Sequence, residues 1–330
     1  MLMLVFYHSG LYWNGNWFVL APTHTSVSVT LFCDSLRFLL CAVYAFILLS
    51  GYIYYYVRYE YGGYNNFRQF LKKKTMRLLV PYILVCMFWV IPITCYFFNY
   101  SLSDIINRYV LGISPNQLWF VLMIFGVFML SWPLSDYFNT HGINSIWIPA
   151  SLLLIGSGLS MIFPNLWQFE TALKYMLYFW LGFMFRKYQG TRAVHNVMTL
   201  NGGLLCLSVC ILSFMPMVLI SRDSFSAKLI VMAFMIIWEF SGAVMAFVLL
   251  NILARKIRWN TSGFKAISKL SYPIYLFHQQ VIYILLWNMN KDMNPLVLTI
   301  VIWIIASLVS GVLSLILQSN KYTGIIVGKG

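Results

Sequence analysis

Charge is what this sequence has least of. Only 9% of its 330 residues are Asp, Glu, Lys or Arg, and 61% are hydrophobic, whereas about a quarter of a soluble globular domain is charged. A water-soluble fold of this composition would have no surface to show to solvent. Other absences narrow the field further. The cysteines Cys33, Cys41, Cys86, Cys95, Cys206 and Cys210 lie mostly in or beside apolar stretches. They form no C-x-x-C pair and have no histidine at metal-ligand spacing, so they read as packing residues and no metal site is expected. No tandem repeat, low-complexity tract or appended soluble domain is visible. No positive charge precedes the first apolar stretch and no clear small-residue cleavage site follows it, so it reads as a first helix and not a signal peptide.

What the sequence does have is apolar blocks, at 1–13, 38–57, 78–98, 118–134, 145–163, 173–185, 200–220, 229–253, 271–287 and 296–317. Most match the ~20 residues that span a bilayer. They are continuously apolar and not alternating, and a helix satisfies its own backbone groups in lipid, so helices are preferred over a β-barrel. The expected fold class is all-α: a polytopic integral membrane protein of about ten transmembrane helices, one domain over 1–330. The thirteen residues of the first block reach only about 20 Å of a ~30 Å hydrocarbon core, so an upstream extension of the first helix is expected.

With a cytoplasmic N-terminus, the inside connectors are 58–77, 135–144, 186–199, 254–270 and the C-terminal tail, and they carry 16 of the 22 Lys and Arg. This asymmetry is the positive-inside pattern and predicts an N-in/C-in topology. It also accounts for most of the +14 net charge, so no nucleic-acid partner is called for.

Ionisable side chains inside a membrane cost about 2.5–3.5 kcal/mol on insertion scales, and each one prompts a functional hypothesis. Three stand inside blocks: His8 in the first, Glu239 near the middle of the eighth and His278 about two turns into the ninth. A histidine in an apolar helix is either a hydrogen-bonded packing residue or a general base for a hydroxyl nucleophile near neutral pH. Glu239 is followed by Ser241, Gly242, Ala243 and Ala246, small residues that admit a neighbouring helix, so its carboxylate is expected inside the bundle. There it would orient a histidine, bind substrate hydroxyls or pair with a base such as Arg37. Ser271, Tyr275 and His278 recur at i, i+4 and i+7 and share a helical face, which either lines a cavity or bonds to a neighbouring helix.

The densest basic cluster is Arg68, Lys72, Lys73, Lys74 and Arg77, interleaved with Phe67, Phe70 and Leu71. It has the pattern of an interfacial amphipathic helix. Such a cluster suits the phosphates of a nucleotide-like ligand, and it equally suits anionic lipid headgroups. A transporter or glycan exporter is the alternative class, since a polar stripe and a midplane carboxylate also suit a permeation path. Against it, no inverted repeat and no pair of broken helices is visible.

Five stretches together resemble the integral-membrane acyltransferase type 3 family, which includes O-acetyltransferases of bacterial surface polysaccharides. They are Val5-Phe6-Tyr7-His8-Ser9, Leu49-Ser50-Gly51-Tyr52, the run from Phe70 to Pro81-Tyr82, Leu118-Trp119-Phe120, and Ser271-Tyr272-Pro273-Ile274-Tyr275-Leu276-Phe277-His278. The resemblance implies an enzyme of the bacterial inner membrane with acetyl-CoA as donor on the cytoplasmic side. The acceptor it implies is a hydroxyl of a lipid-linked or cell-surface glycan. By this similarity His8 matches the family's proposed catalytic histidine, and His278 the histidine that ends its ninth-helix motif. Arg68, Lys72, Lys73 and Arg77 fall where its basic connector lies, and Glu239 joins the two histidines as a candidate for the catalytic group. Two departures stand out. The family's arginine about eleven positions before the first histidine would fall before Met1, in line with the expected upstream extension. Its Met-Pro-Leu-Phe-Phe-like run is Ala42-Val43-Tyr44-Ala45-Phe46 here.

Overall fold

The computed structural model describes residues 1–11, 31–32, 35–64, 66–221, 223–257, 261–289 and 293–329. Cys33, His24 and the last two residues of the first apolar block lie outside the described residues. Among the described residues the chain is helical, with no strand. Every apolar block forms helix: α1 Leu2–Gly10, α2 Arg37–Glu60, α3 Phe67–Phe98, α4 Trp119–His141, α5 Trp147–Leu159, α6 Phe169–Lys187, α7 Leu200–Leu219, α8 Phe225–Lys256, α9 Ser262–Asn288 and α10 Pro295–Ser319. Six helical runs among the described residues are long and apolar enough to cross a membrane: α2, α3, α7, α8, α10 and the run Asn116–Leu159 that joins α4 to α5. The other helices depart from that pattern for visible reasons. α1 has nine residues, α6 carries Glu170, Lys174, Arg186 and Lys187, and α9 opens on the polar stretch 262–271.

Local chemistry sets the helix ends. Asn66, Thr199 and Ser224 each accept a backbone N–H from the residue three positions on, and Ser101 with Asp104 closes a reciprocal capping box. These bonds satisfy donors that the first helical turn leaves open. Prolines inside helices are accommodated in two ways. In α3, Pro81 and Pro92 each follow a wide turn with i→i+5 bonding, Thr75–Leu79 and Cys86–Val90, which relieves the clash of the ring with the carbonyl four residues back. In α9, Pro273 cannot bond the Lys269 carbonyl, and the Gln318 side chain of α10 donates to that oxygen instead at 3.4 Å.

Packing follows the small residues. α2 lies against both α6 and α8. A Cβ at Gly51 would sit 1.9 Å from the Phe179 carbonyl oxygen, and one at Gly182 would sit 1.8 Å from that of Leu48. The two backbones therefore touch at paired glycines. On α8, Gly242 meets Cys41 of α2, whose Cβ would be 2.7 Å from an added methyl, as the run of small residues after Glu239 led one to expect. Cys41, Cys86, Cys95, Cys206 and Cys210 are free thiols. The periphery is apolar: Leu212 and Leu219 of α7 and Leu308 and Ile316 of α10 are exposed, the face a bilayer would cover.

Three buried clusters result. The largest joins α2, α4, α6 and α8; a second joins α1, α9 and α10; a third joins α3, the start of α4, α9 and the tail at Val327. A cavity of about 680 Å³ lies where the three meet, walled by α1, α2, α3, α4 and α9.

Candidate functional site

α1 carries His8 to the cavity wall. The helix is held from outside by α10, where the Trp303 indole donates to the Leu2 carbonyl at 2.9 Å and meets the Phe6 ring edge-on. His278 arrives from α9, fully buried. Its Nε2 lies 2.7 Å from Nδ1 of His8, with the ring planes parallel to within 2°.

The hydrogen-bond pattern assigns the protons. His278 Nδ1 lies 2.8 Å from the Tyr275 carbonyl and 3.2 Å from that of Ile274. Carbonyls only accept, so Nδ1 carries the hydrogen, and in the neutral ring Nε2 is a lone pair. That lone pair takes its bond from Nδ1–H of His8. The neutral His8 ring then presents Nε2 as its unprotonated nitrogen. The pair is built like a base with its orienting partner: His278, pinned by the backbone of its own helix, fixes the tautomer and plane of His8.

α9 is itself held in register by amides. Gln117, just ahead of α4, is buried in the cavity wall and donates to Gln280 Oε1 at 2.7 Å and to the Leu276 carbonyl at 3.0 Å. Gln280 donates back at 3.2 Å, and the Tyr275 hydroxyl bonds the Gln117 carbonyl. The face shared by Ser271, Tyr275 and His278 thus serves both anticipated purposes. Ser271 and Tyr275 line the cavity, and Tyr275 and His278 bond to other helices.

Glu239 is elsewhere. It is buried on α8, where Tyr44 of α2 donates to Oε1 at 2.7 Å and Tyr178 of α6 donates to Oε2 at 2.6 Å. Tyr44 in turn packs against Tyr175 and Trp238. Glu239 does not line the cavity and bonds neither histidine. The two histidines are brought together; the carboxylate is not brought to them.

The basic connector divides in the same way. Arg77 lines the cavity, while Arg68, Lys72 and Lys73 are exposed on the surface of α3 and do not. Lys74, their neighbour, does line it. Close by, Arg58 anchors the wall. It donates to the Tyr54 hydroxyl at 2.8 Å and to Ser135 at 2.6 Å, stacks over Trp132, and grips Asp136 with two bonds of 3.0 and 2.9 Å. Residue reasoning named Lys74 only as a member of the basic cluster and passed over Gln117 and Gln280. The available signal was weak: two glutamines directly after His278 in an apolar helix, and one directly before Leu118-Trp119-Phe120.

A membrane bundle, helical throughout its described residues, with a hydrogen-bonded histidine pair at an internal cavity defines a class, an integral-membrane protein with a polar site inside its core. The family follows from comparison. A family model described as an acyltransferase domain matches residues 1–318, so the chain belongs to the acyltransferase type 3 family and is a membrane acyltransferase. No curated protein and no solved structure matches the chain.

Proposed function

We propose that the protein transfers an acetyl group from acetyl-CoA to a hydroxyl of a cell-surface or lipid-linked glycan. One observation carries this reading. All five stretches that resemble the family, far apart in sequence, converge on one cavity, through His8, Ser50, Arg77, Trp119 and Tyr275 among others. The cavity is basic where Lys74 and Arg77 line it, His8 stands in its wall, and apolar side chains such as Phe46, Leu78 and Ile124 line it as well. Its volume falls within the range of small-molecule sites.

The donor supplies an activated acyl group as a thioester. The residues supply the rest. Nε2 of His8 accepts the proton of the acceptor hydroxyl as that oxygen attacks the thioester carbonyl, the C–S bond breaks and the departing thiolate takes that proton from the imidazolium; the bond from Nδ1–H to His278 keeps the ring in the tautomer able to do so. The closed bundle keeps water from competing for the acyl group. Glu239 takes no part in this chemistry. The basic end of the cavity faces the cytoplasm, in an N-in/C-in arrangement of ten spans in a bacterial inner membrane, which the loop charges support. In that arrangement Arg68, Lys72 and Lys73 meet anionic headgroups.

The test is acetyl-CoA-dependent labelling of glycan in membranes that hold the wild type or His8→Ala, with mass spectrometry of the product. Label that requires both the donor and His8 is expected. Flux of substrate without acyl transfer would replace this reading with transport.

A further inference from the structure

We infer that Tyr7 is a second catalytic residue, whose phenol O–H donates a hydrogen bond to the carbonyl oxygen of the transferring acyl group. The inference deepens the acyl-transfer reading above and rests on it. When the acceptor oxygen bonds to the thioester carbon, the C=O π pair moves onto the carbonyl oxygen, and it returns as the C–S bond breaks. His8 is engaged with the proton and with His278, so stabilising that negative oxygen falls to another donor in the wall. Tyr7 directly precedes His8 on α1, and both line the cavity. Its ring centre lies 5.3 Å from that of His8, with the planes inclined by 48°. Donor and base are thus carried by one stretch of backbone, which the Trp303 indole pins at Leu2.

The Tyr7 hydroxyl is half-buried and makes no hydrogen bond among the described residues. Unlike the Tyr272 oxygen, it is not sealed off by neighbouring atoms, so a ligand in the cavity can reach it. Buried polar groups are ordinarily paired, and a donor left over beside a base calls for an acceptor that the protein lacks. Other polar groups of the wall are committed. Ser50 and Ser271 bond carbonyls of their own helices, Tyr275 bonds the Gln117 carbonyl, and the Gln117 amide gives its N–H bonds to Gln280 and Leu276. Tyr64 belongs to the basic end, its ring centre 5.6 Å from Lys74 Nζ, and Trp119 packs on Tyr175 beside the Glu239 cluster. Tyr7 is the free hydroxyl at the end that holds the base. In a chamber poor in water, a fixed neutral donor there stabilises developing charge without an ion having to be buried.

The experiment compares the wild type with Tyr7→Phe, which removes the O–H alone, as full-length protein in nanodiscs, with the glycan that wild-type membranes label as acceptor. The variant should lose about 10²–10³-fold in kcat, the loss seen when one oxyanion donor is removed, with KM for donor and acceptor within about twofold. Calorimetry then follows two unreactive donor analogues. One is the methyl ketone with CH2 in place of the thioester sulfur, which keeps the carbonyl oxygen, and the other is S-ethyl coenzyme A, which lacks it. Tyr7→Phe should weaken the ketone about threefold to tenfold, the share of one neutral hydrogen bond, and leave the S-ethyl compound unchanged. Wild-type kcat in the variant overturns the assignment. So does a rise confined to the acceptor KM, which would make Tyr7 a group that binds acceptor. Equal weakening of both analogues would report a distorted chamber and overturns it as well. If the wild type binds neither analogue and labels no glycan, the acetyl-transfer reading fails and this inference fails with it.

Discussion

His8 and Glu239 both stand inside apolar helices, and both bear the desolvation cost that makes such residues rare in membranes. They are housed differently. His8 bonds to His278 through Nδ1 and lines a cavity. Glu239 accepts a tyrosine hydroxyl on each oxygen, lies among aromatic side chains and does not line that cavity. Burial of an ionisable group is therefore a poor guide to chemistry by itself. What separates the two sites is position: His8 stands in the wall of a ligand-sized space, while the two oxygens of Glu239 are taken by tyrosine hydroxyls away from it.

The largest test of this contrast is at the open site. His8→Ala should lower acyl transfer by about 10²–10⁴-fold, the range supplied by general-base catalysis, while detergent-extracted protein keeps its melting temperature. Transfer at near wild-type rates would remove the histidine pair from the reaction. Next in size is its partner. His278→Ala should lower kcat by about ten- to a hundredfold, below the general-base ceiling, with little change in KM. His278→Gln, which keeps an acceptor for His8 Nδ1–H, should recover part of the loss. A glutamine variant no better than alanine would show that orientation is not what His278 contributes.

At the closed site the expected effects are on stability. Glu239→Gln replaces one acceptor oxygen by an NH2 that cannot accept from a tyrosine, and should destabilise the protein by about 1–3 kcal/mol. Transfer per folded molecule should be preserved. A variant that stays folded yet is inactive would join Glu239 to the chemistry and dissolve the contrast. The smallest effect is expected for Tyr178→Phe, which removes one donor to the carboxylate and should cost about 1 kcal/mol in thermal or denaturant unfolding, again with transfer intact.

Much of the fold was legible because lipid imposes it. A continuously apolar block has one way to satisfy its backbone, and each of the blocks is helical. The family was legible in its five short stretches, which the match over residues 1–318 bears out. His8 and His278 were conspicuous as lone ionisable residues, but their pairing joins positions 270 apart in sequence, and no spacing argument spans that distance. The choice of Lys74 over Lys72 and Lys73 was hidden for a different reason. Which lysine of a run turns inward depends on helical phase, and a wide turn begins directly after this one, at Thr75–Leu79. Gln117 escaped notice because it belongs to the short turn before α4, outside any periodic pattern.

The mutual glycine contact between α2 and α6 has a consequence for redesign. The position of α2 is set by main chain against main chain at Gly51 and Gly182, not by the side chains it shows to the cavity. Val43, Phe46 and Ser50 project from that fixed rail. Exchanging them for larger or smaller residues should resize the chamber while the glycine contact holds the helix in place.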